Sequence, residues 1–289
     1  MFKKIYLFFC FIFICNIQNN LFSEIQSNNS IPCILVSVAP YKFFVEKIAQ
    51  DTVKVILMVP PGASAHTYEP TARQILGACE GKVWFRIGES FENRAINALK
   101  SHQPHLEIVD LRQGLDLIHS SECKGCCCAG GEDLHFWLSP KMVKIQAHTI
   151  TDAIIQLKPQ FKDFYLKNLS VFEAELDQLN QEIQTTLSPL QNRNILVSHP
   201  AYAYFCRDYQ LNQFSIEMEG KDPTPQQMTR LMNTIRDLKI KTIYIQMQYN
   251  NKAAKLVADT LNMKLITLNP YAENYFQSLR EIANAFAQG

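Results

Sequence analysis

Near the middle of the chain, Phe161, Tyr165, Leu169, Phe172, Leu176, Leu179, Ile183 and Leu187 recur at steps of three and four. Lys, Asp, Asn, Gln and Glu fill the positions between them. Such steps place one apolar stripe along an α-helix, and Ser188-Pro189 ends it. A helix of about 30 residues is roughly 45 Å long, more than an ordinary crossover needs. It is either an oversized helix packed on one domain or a rigid strut joining two lobes.

The flanking sequence has the same rhythm on both sides. Before the helix, Ile34–Val38, Val53–Val59, Val83–Ile87 and Leu106–Leu111 read as strands. Helical stretches at Lys42–Gln50, Thr71–Cys79 and Ser90–Ser101 separate them, and Ser139–Leu157 opens with an N-cap serine and Pro140 at the first helical position. After the long helix, strands at Ile195–Val197, Gln213–Glu217, Thr242–Gln246 and Lys264–Leu268 alternate with helical stretches, the last running through Phe286. Strands separated by helices imply parallel sheets. The expected fold is therefore α/β: two lobes, each a parallel-type sheet flanked by helices, joined by one long rigid helix. Residues 24–157 and 190–289 are the expected lobes and 158–189 the connector. With 289 residues, 47% of them hydrophobic, the chain can build two cores.

The first residues follow another pattern. Lys3 and Lys4 precede a stretch, Ile5 to Ile17, that is apolar apart from cysteines and Asn16. That stretch is too short to span a bilayer, which takes about 20 residues, and it matches a secretory signal peptide. Residues 1–23 are read as that leader and the mature protein as periplasmic or otherwise extracytoplasmic. Cys15 is a poor lipid-anchor candidate, because Ile14 before it is bulky. The formal net charge of +1 becomes −1 once Lys3 and Lys4 leave, so no bulk electrostatic attraction to nucleic acid exists.

Of nine cysteines, Cys10 and Cys15 leave with the leader. The remainder are Cys33, Cys79, Cys123, Cys126, Cys127, Cys128 and Cys206, an odd set that cannot pair completely within one chain. The cluster in "HSSECKGCCCAGGEDLH", His119 to His135, has two readings: disulfides of an oxidising compartment, or an accessory thiolate metal site. Glu122, Glu132 and Asp133 in the same stretch read most simply as a solvated acidic loop.

Among the seven histidines, His102, His105 and His148 have no partner pattern and read as surface or capping residues. His66, in "PPGASAHTYEP", lies in a loop leaving the carboxyl end of a strand. His135, in "DLHFWLSP", immediately precedes a helix. His199, in "ILVSHPAYAYF", ends a strand. Ligands of open α/β sheets bind beyond the carboxyl ends of the strands. Taken singly, a structural role explains each histidine better than ligation. Taken with the topology, two precede the connector and one follows it, so facing lobes would bring all three to one cleft. Neutral imidazole is a common metal ligand.

The segments "PPGASAHTYEPTARQ", "LHFWLSP", "SHPAYAYFCRDYQL", "DPTPQQMTRLMNTIRDLKIKTIYIQMQ" and "LITLNPYAENYFQSL" resemble, in that order, the solute-binding receptors of zinc and manganese ABC importers, and among them the ZnuA-like zinc receptors. The resemblance runs over nearly all of the mature chain. It implies two lobes joined by a long helix, a metal site of His66, His135 and His199, and delivery of the captured ion to a membrane permease. The implied cargo is Zn²⁺, with Mn²⁺ or iron, or a metal-binding adhesin of the same family, as the alternative. Two positions depart from the family. Gln246 stands where a glutamate is common, and Asn269 where an aspartate coordinates in manganese-type members. Fewer anionic oxygens suit Zn²⁺ better than hard Mn²⁺, and water, the Asn269 oxygen or a loop donor is left for the fourth position.

No enzyme activity is expected. An exported zinc hydrolase would also use three histidines and a water, but it needs a carboxylate base. Glu69 and Asp133 are near in sequence, and neither forms a HExxH-type pairing.

Overall fold

The computed structural model describes residues 31–119, 131–217 and 222–289. The expected leader, with Cys10 and Cys15, and the cluster Cys123, Cys126, Cys127 and Cys128 lie outside the described residues. Cys33, Cys79 and Cys206 are free thiols.

Two four-stranded parallel sheets form the framework. The first half runs β1 (Cys33–Val36), α1 (Ala39–Ala49), β2 (Lys54–Leu57), α2 (Ala72–Ala78), β3 (Gly81–Arg86), α3 (Ser90–His102), β4 (Glu107–Asp110) and α4 (Pro140–Leu157). Next comes the long helix α5 (Lys162–Leu187). The second half runs β5 (Asn194–Val197), α6 (Ala203–Asp208), β6 (Asn212–Ser215), α7 (Pro225–Asp237), β7 (Thr242–Gln246), α8 (Lys252–Leu261), β8 (Lys264–Leu268) and α9 (Tyr275–Gln288). Strand order is β2-β1-β3-β4 in one sheet and β6-β5-β7-β8 in the other. The registers correspond as well, Val36 opposite Leu57 and Val197 opposite Ser215. In both sheets the chain reverses its direction of travel between the first and third strands, the position where open α/β sheets leave a crevice. The two-lobe α/β architecture read from the periodicity is the one found.

Local chemistry explains where the helices start. Thr71 and Thr224 each accept from the third helical N–H, while Gln74 and Gln227 return the contact, so α2 and α7 open with capping boxes. Ser139 accepts from Met142 N and Pro140 follows it, opening α4. Pro159–Phe161 form a 3-10 turn, so α5 proper has 26 residues, about 39 Å.

Helix α5 buries Tyr165, Leu169, Phe172, Leu176, Leu179, Ile183 and Leu187. Its neighbours are α1 and α4 from the first half and α9 from the end of the chain. Phe172 meets Phe43 and Phe44 of α1 and Phe276 of α9. Tyr275 packs edge-on against Phe44, its hydroxyl donates to the Trp137 carbonyl, and Trp137 Nε1 donates to the Pro270 carbonyl. One continuous apolar core thus takes in the first half, α5, α6 and α9. A smaller core, including Leu196, Leu231, Ile243 and Val257, lies between β5, β7, α7 and α8.

Candidate metal centre

Each of the three singled-out histidines is placed by a turn at the carboxyl end of a sheet. After β2 the chain turns through Pro60-Pro61-Gly62, and His66 sits in the 3-10 turn Ala65–Thr67. His135 precedes the 3-10 turn Phe136–Leu138 that leads into α4, and it is fully buried. His199 follows β5 and is 1% exposed.

The fold brings the three rings together. Ring centroids are 5.0 Å apart for His66 and His135, 5.3 Å for His66 and His199, and 5.5 Å for His135 and His199. One nitrogen from each lies within 4.8 Å of the other two. His66 Nε2 is 3.3 Å from His135 Nε2. A tetrahedral zinc ion with Zn–N bonds of about 2.0–2.1 Å would separate its nitrogens by roughly 3.3 Å. One pair is already at that spacing, and a small adjustment would bring in the third.

The remaining ring nitrogens are held by acids. His66 Nδ1 lies 3.0 and 3.1 Å from the two carboxylate oxygens of Glu89. His135 Nδ1 is 2.8 Å from Asp133 Oδ1, which also accepts from the His135 backbone N–H. His199 Nδ1 is 2.8 Å from Glu217 Oε2. Asp133 is completely buried, so it is a fixed part of the site and not a member of a solvated acidic loop. The physical reason is local. Tyr204 donates to the Asp133 carbonyl, Asp133 N–H donates to Ile118, and the carboxylate turns back onto the next-but-one residue.

Other side chains shape the site. Tyr249 stacks on His199 at 3.9 Å and 16°. Gln246, wholly buried, donates through Nε2 to the His199 carbonyl. Tyr271 places its hydroxyl 3.4 Å from His135 Nε2. The Asn269 oxygen accepts from Gln248 Nε2 and Tyr271 N–H, so it is already committed to holding the β8 loop. Glu89 is aimed by its turn. Gly88 has φ +101°, which a side chain would strain, and the Ile87 and Gly88 N–H groups donate to Glu92. Burial pushes the Glu92 carboxyl above its ordinary value, against the lowering effect of the donors Ile87, Ser37 and Gly88 and of the Arg86 charge.

The other histidines lie elsewhere. His102 and His105 are exposed, and His148 is exposed and bonded to Glu173. His119 pairs with Glu132 in an isolated antiparallel bridge. Glu69 is exposed and ion-paired with Arg94. Glu89, Glu217, Tyr249 and Tyr271 were not legible as site residues. Glu89 is 23 residues from His66 and Glu217 is 18 from His199, and no short spacing links them. The one available signal is that each lies just beyond the carboxyl end of a strand, Glu89 after β3 and Glu217 after β6, the strand that pairs with the one His199 follows.

Comparison with known proteins agrees with this architecture. The family described as "Zinc-uptake complex component A periplasmic" matches residues 34–289. A "Putative metal-binding protein" of Chlamydia trachomatis serovar D is 36% identical over 284 residues, covering 97% of this chain and 99% of the relative. The "Manganese ABC transporter substrate-binding lipoprotein PsaA" of Streptococcus pneumoniae is 26% identical over 230 residues, covering 76% of this chain and 73% of that one. A structure described as "Crystal structure of ZnuA" superposes with a TM-score of 0.84 at 33% identity, covering 90% of this chain and 99% of that one.

Proposed function

Because the chain belongs to the zinc-uptake component A family, the solute-binding receptors of ABC metal importers, we propose that it captures Zn²⁺ between its two lobes and hands it to a membrane permease. His66, His135 and His199 are the proposed ligands. Residues 1–23 are the proposed export leader, which places the receptor outside the inner membrane, and 158–189 the connector between lobes 24–157 and 190–289. Members of this family bind and release their solute without transforming it. Among the described residues no helix is long and apolar enough to cross a membrane.

The convergence of three imidazole nitrogens within 4.8 Å, two from the first half and one from the second, carries the reading. An all-imidazole group favours a borderline ion such as Zn²⁺ over a hard one such as Mn²⁺. Gln246 and Asn269 add no anionic oxygen. Metal-stripped protein titrated with Zn²⁺ and Mn²⁺ in competition should bind one Zn²⁺ per site in preference to Mn²⁺, and His199→Ala should lose most of that affinity. Tighter binding of Mn²⁺ would overturn the zinc assignment. Undiminished binding by His199→Ala would overturn the site.

A further inference from the structure

We infer that Glu89, Asp133 and Glu217 are positioning residues that set how strongly the three imidazoles hold an ion. The inference rests on the receptor reading above.

A carboxylate can only accept, so one placed 2.8–3.1 Å from Nδ1 draws the ring proton to that nitrogen and leaves the lone pair on Nε2. The same choice is made three times, on three separate chain segments. Glu89 follows β3 and serves a histidine that follows β2. Asp133 serves a histidine in its own loop. Glu217 follows β6 and serves a histidine that follows β5. The Nε2 atoms of His66 and His135 then face each other 3.3 Å apart, the spacing of two ligands on one ion.

The ligating group found among the described residues contains histidines only. The three negative charges therefore stand one ring away from the ion. They act by raising imidazole basicity and by fixing each ring's angle before the ion arrives, which lowers the ordering cost of binding. Burial strengthens this, since Glu89 and Asp133 are 2% and 0% exposed. Glu217, with its side chain 15% exposed, is the most accessible of the three. It is also the one that serves His199, the second half's contribution to the group found among the described residues.

The test uses the whole protein with Glu89→Gln, Glu217→Gln and Glu217→Asp, probed with Zn²⁺ against a chromophoric chelator and with Co²⁺ by its visible absorption. Each glutamine variant should lose about 10- to 100-fold in Zn²⁺ affinity and shift the Co²⁺ spectrum, with the melting temperature of the metal-free protein little changed. Glu217→Asp should recover part of the lost affinity. If the unaltered protein binds both ions and the glutamine variants match it within twofold and in spectrum, the inference is wrong and the receptor reading survives. If Glu217→Asp and Glu217→Gln lose equal affinity, charge is not the cause and the inference is again wrong. Failure of the unaltered protein to bind either ion removes both.

Discussion

Phe172→Ala deletes a ring that is 1% exposed and lies between aromatic side chains from opposite ends of the chain. Phe44 is 5.7 Å away, Phe276 6.0 Å and Phe43 6.4 Å, centroid to centroid. A buried Phe→Ala substitution costs about 3–5 kcal/mol, and each lost aromatic pair adds roughly 0.5–1.5 kcal/mol beyond area burial. Three such pairs put the expected loss near the top of that range, about 5 kcal/mol. For a chain of this size 1 kcal/mol corresponds to roughly 2–4 °C, so the melting temperature should fall by about 10–20 °C. Calorimetry on metal-free protein measures this, with Val171→Ala, 53% exposed on the same helix, as the control expected within about 0.5 kcal/mol. Since α1, α5 and α9 share one core, the main transition should move as a unit. A fall of less than about 3 °C, or a shift confined to a minor separate transition, would refute the claim that this helix joins both halves in one cooperative body.

Three further perturbations test other parts of the argument. Gln246→Glu removes the donor to the His199 carbonyl and brings a charge into a fully buried position; a loss of about 1–3 kcal/mol in urea unfolding is expected, and an unchanged midpoint would count against it. At Asp110, burial raises the carboxyl's pKa, but hydrogen bonds from Arg112 and the charges of Arg112 and Arg86 outweigh it and hold it below its ordinary 3.8. Its stabilisation is therefore present above that value and lost as pH falls through the lower folded-state value, so the stability gap to Asp110→Asn should shrink as pH is taken below 3.8; a gap that stays constant on acidification would exclude the Arg112 pairing. Gly81→Ala would place a Cβ 2.6 Å from Leu35 Cγ in the first sheet, an overpacking worth about 1–3 kcal/mol, seen as a lower melting temperature; no change would mean that Leu35 yields freely.

Periodicity made the architecture legible because each half repeats one rule, an apolar strand followed by an amphipathic helix. Strand ends were less legible. Val53–Val59 reads as one run, yet β2 ends at Leu57, with Met58 and Val59 still donating to Val36 and Ser37 as the chain turns away. The meeting of His66, His135 and His199 could be anticipated because strand ends on parallel sheets face a common crevice. Their carboxylate partners could not. Glu89 depends on a glycine at φ +101° and Glu217 on the register of β6 against β5, and both are properties of folded backbone. Asp133, which sequence places among acidic loop residues, is a buried acceptor because Tyr204, from the second half, holds its backbone.

Helix α9 returns from the second half to lie on α5, so residues at the far end of the chain complete the packing around α1. The Lys42–Glu273 contact closes a separation of 231 residues, and the Phe44–Tyr275 contact is as distant. Contacts between such remote residues form late and slow folding. During synthesis the aromatic face of α1 is covered only in part, by Phe172 of α5, until the carboxyl terminus has emerged. Loss of α9 should therefore injure the large shared core, uncovering Phe43 and Phe44 of the first half together with Tyr202, Phe205 and Tyr244 of the second, while the small core between α7 and α8 stays intact.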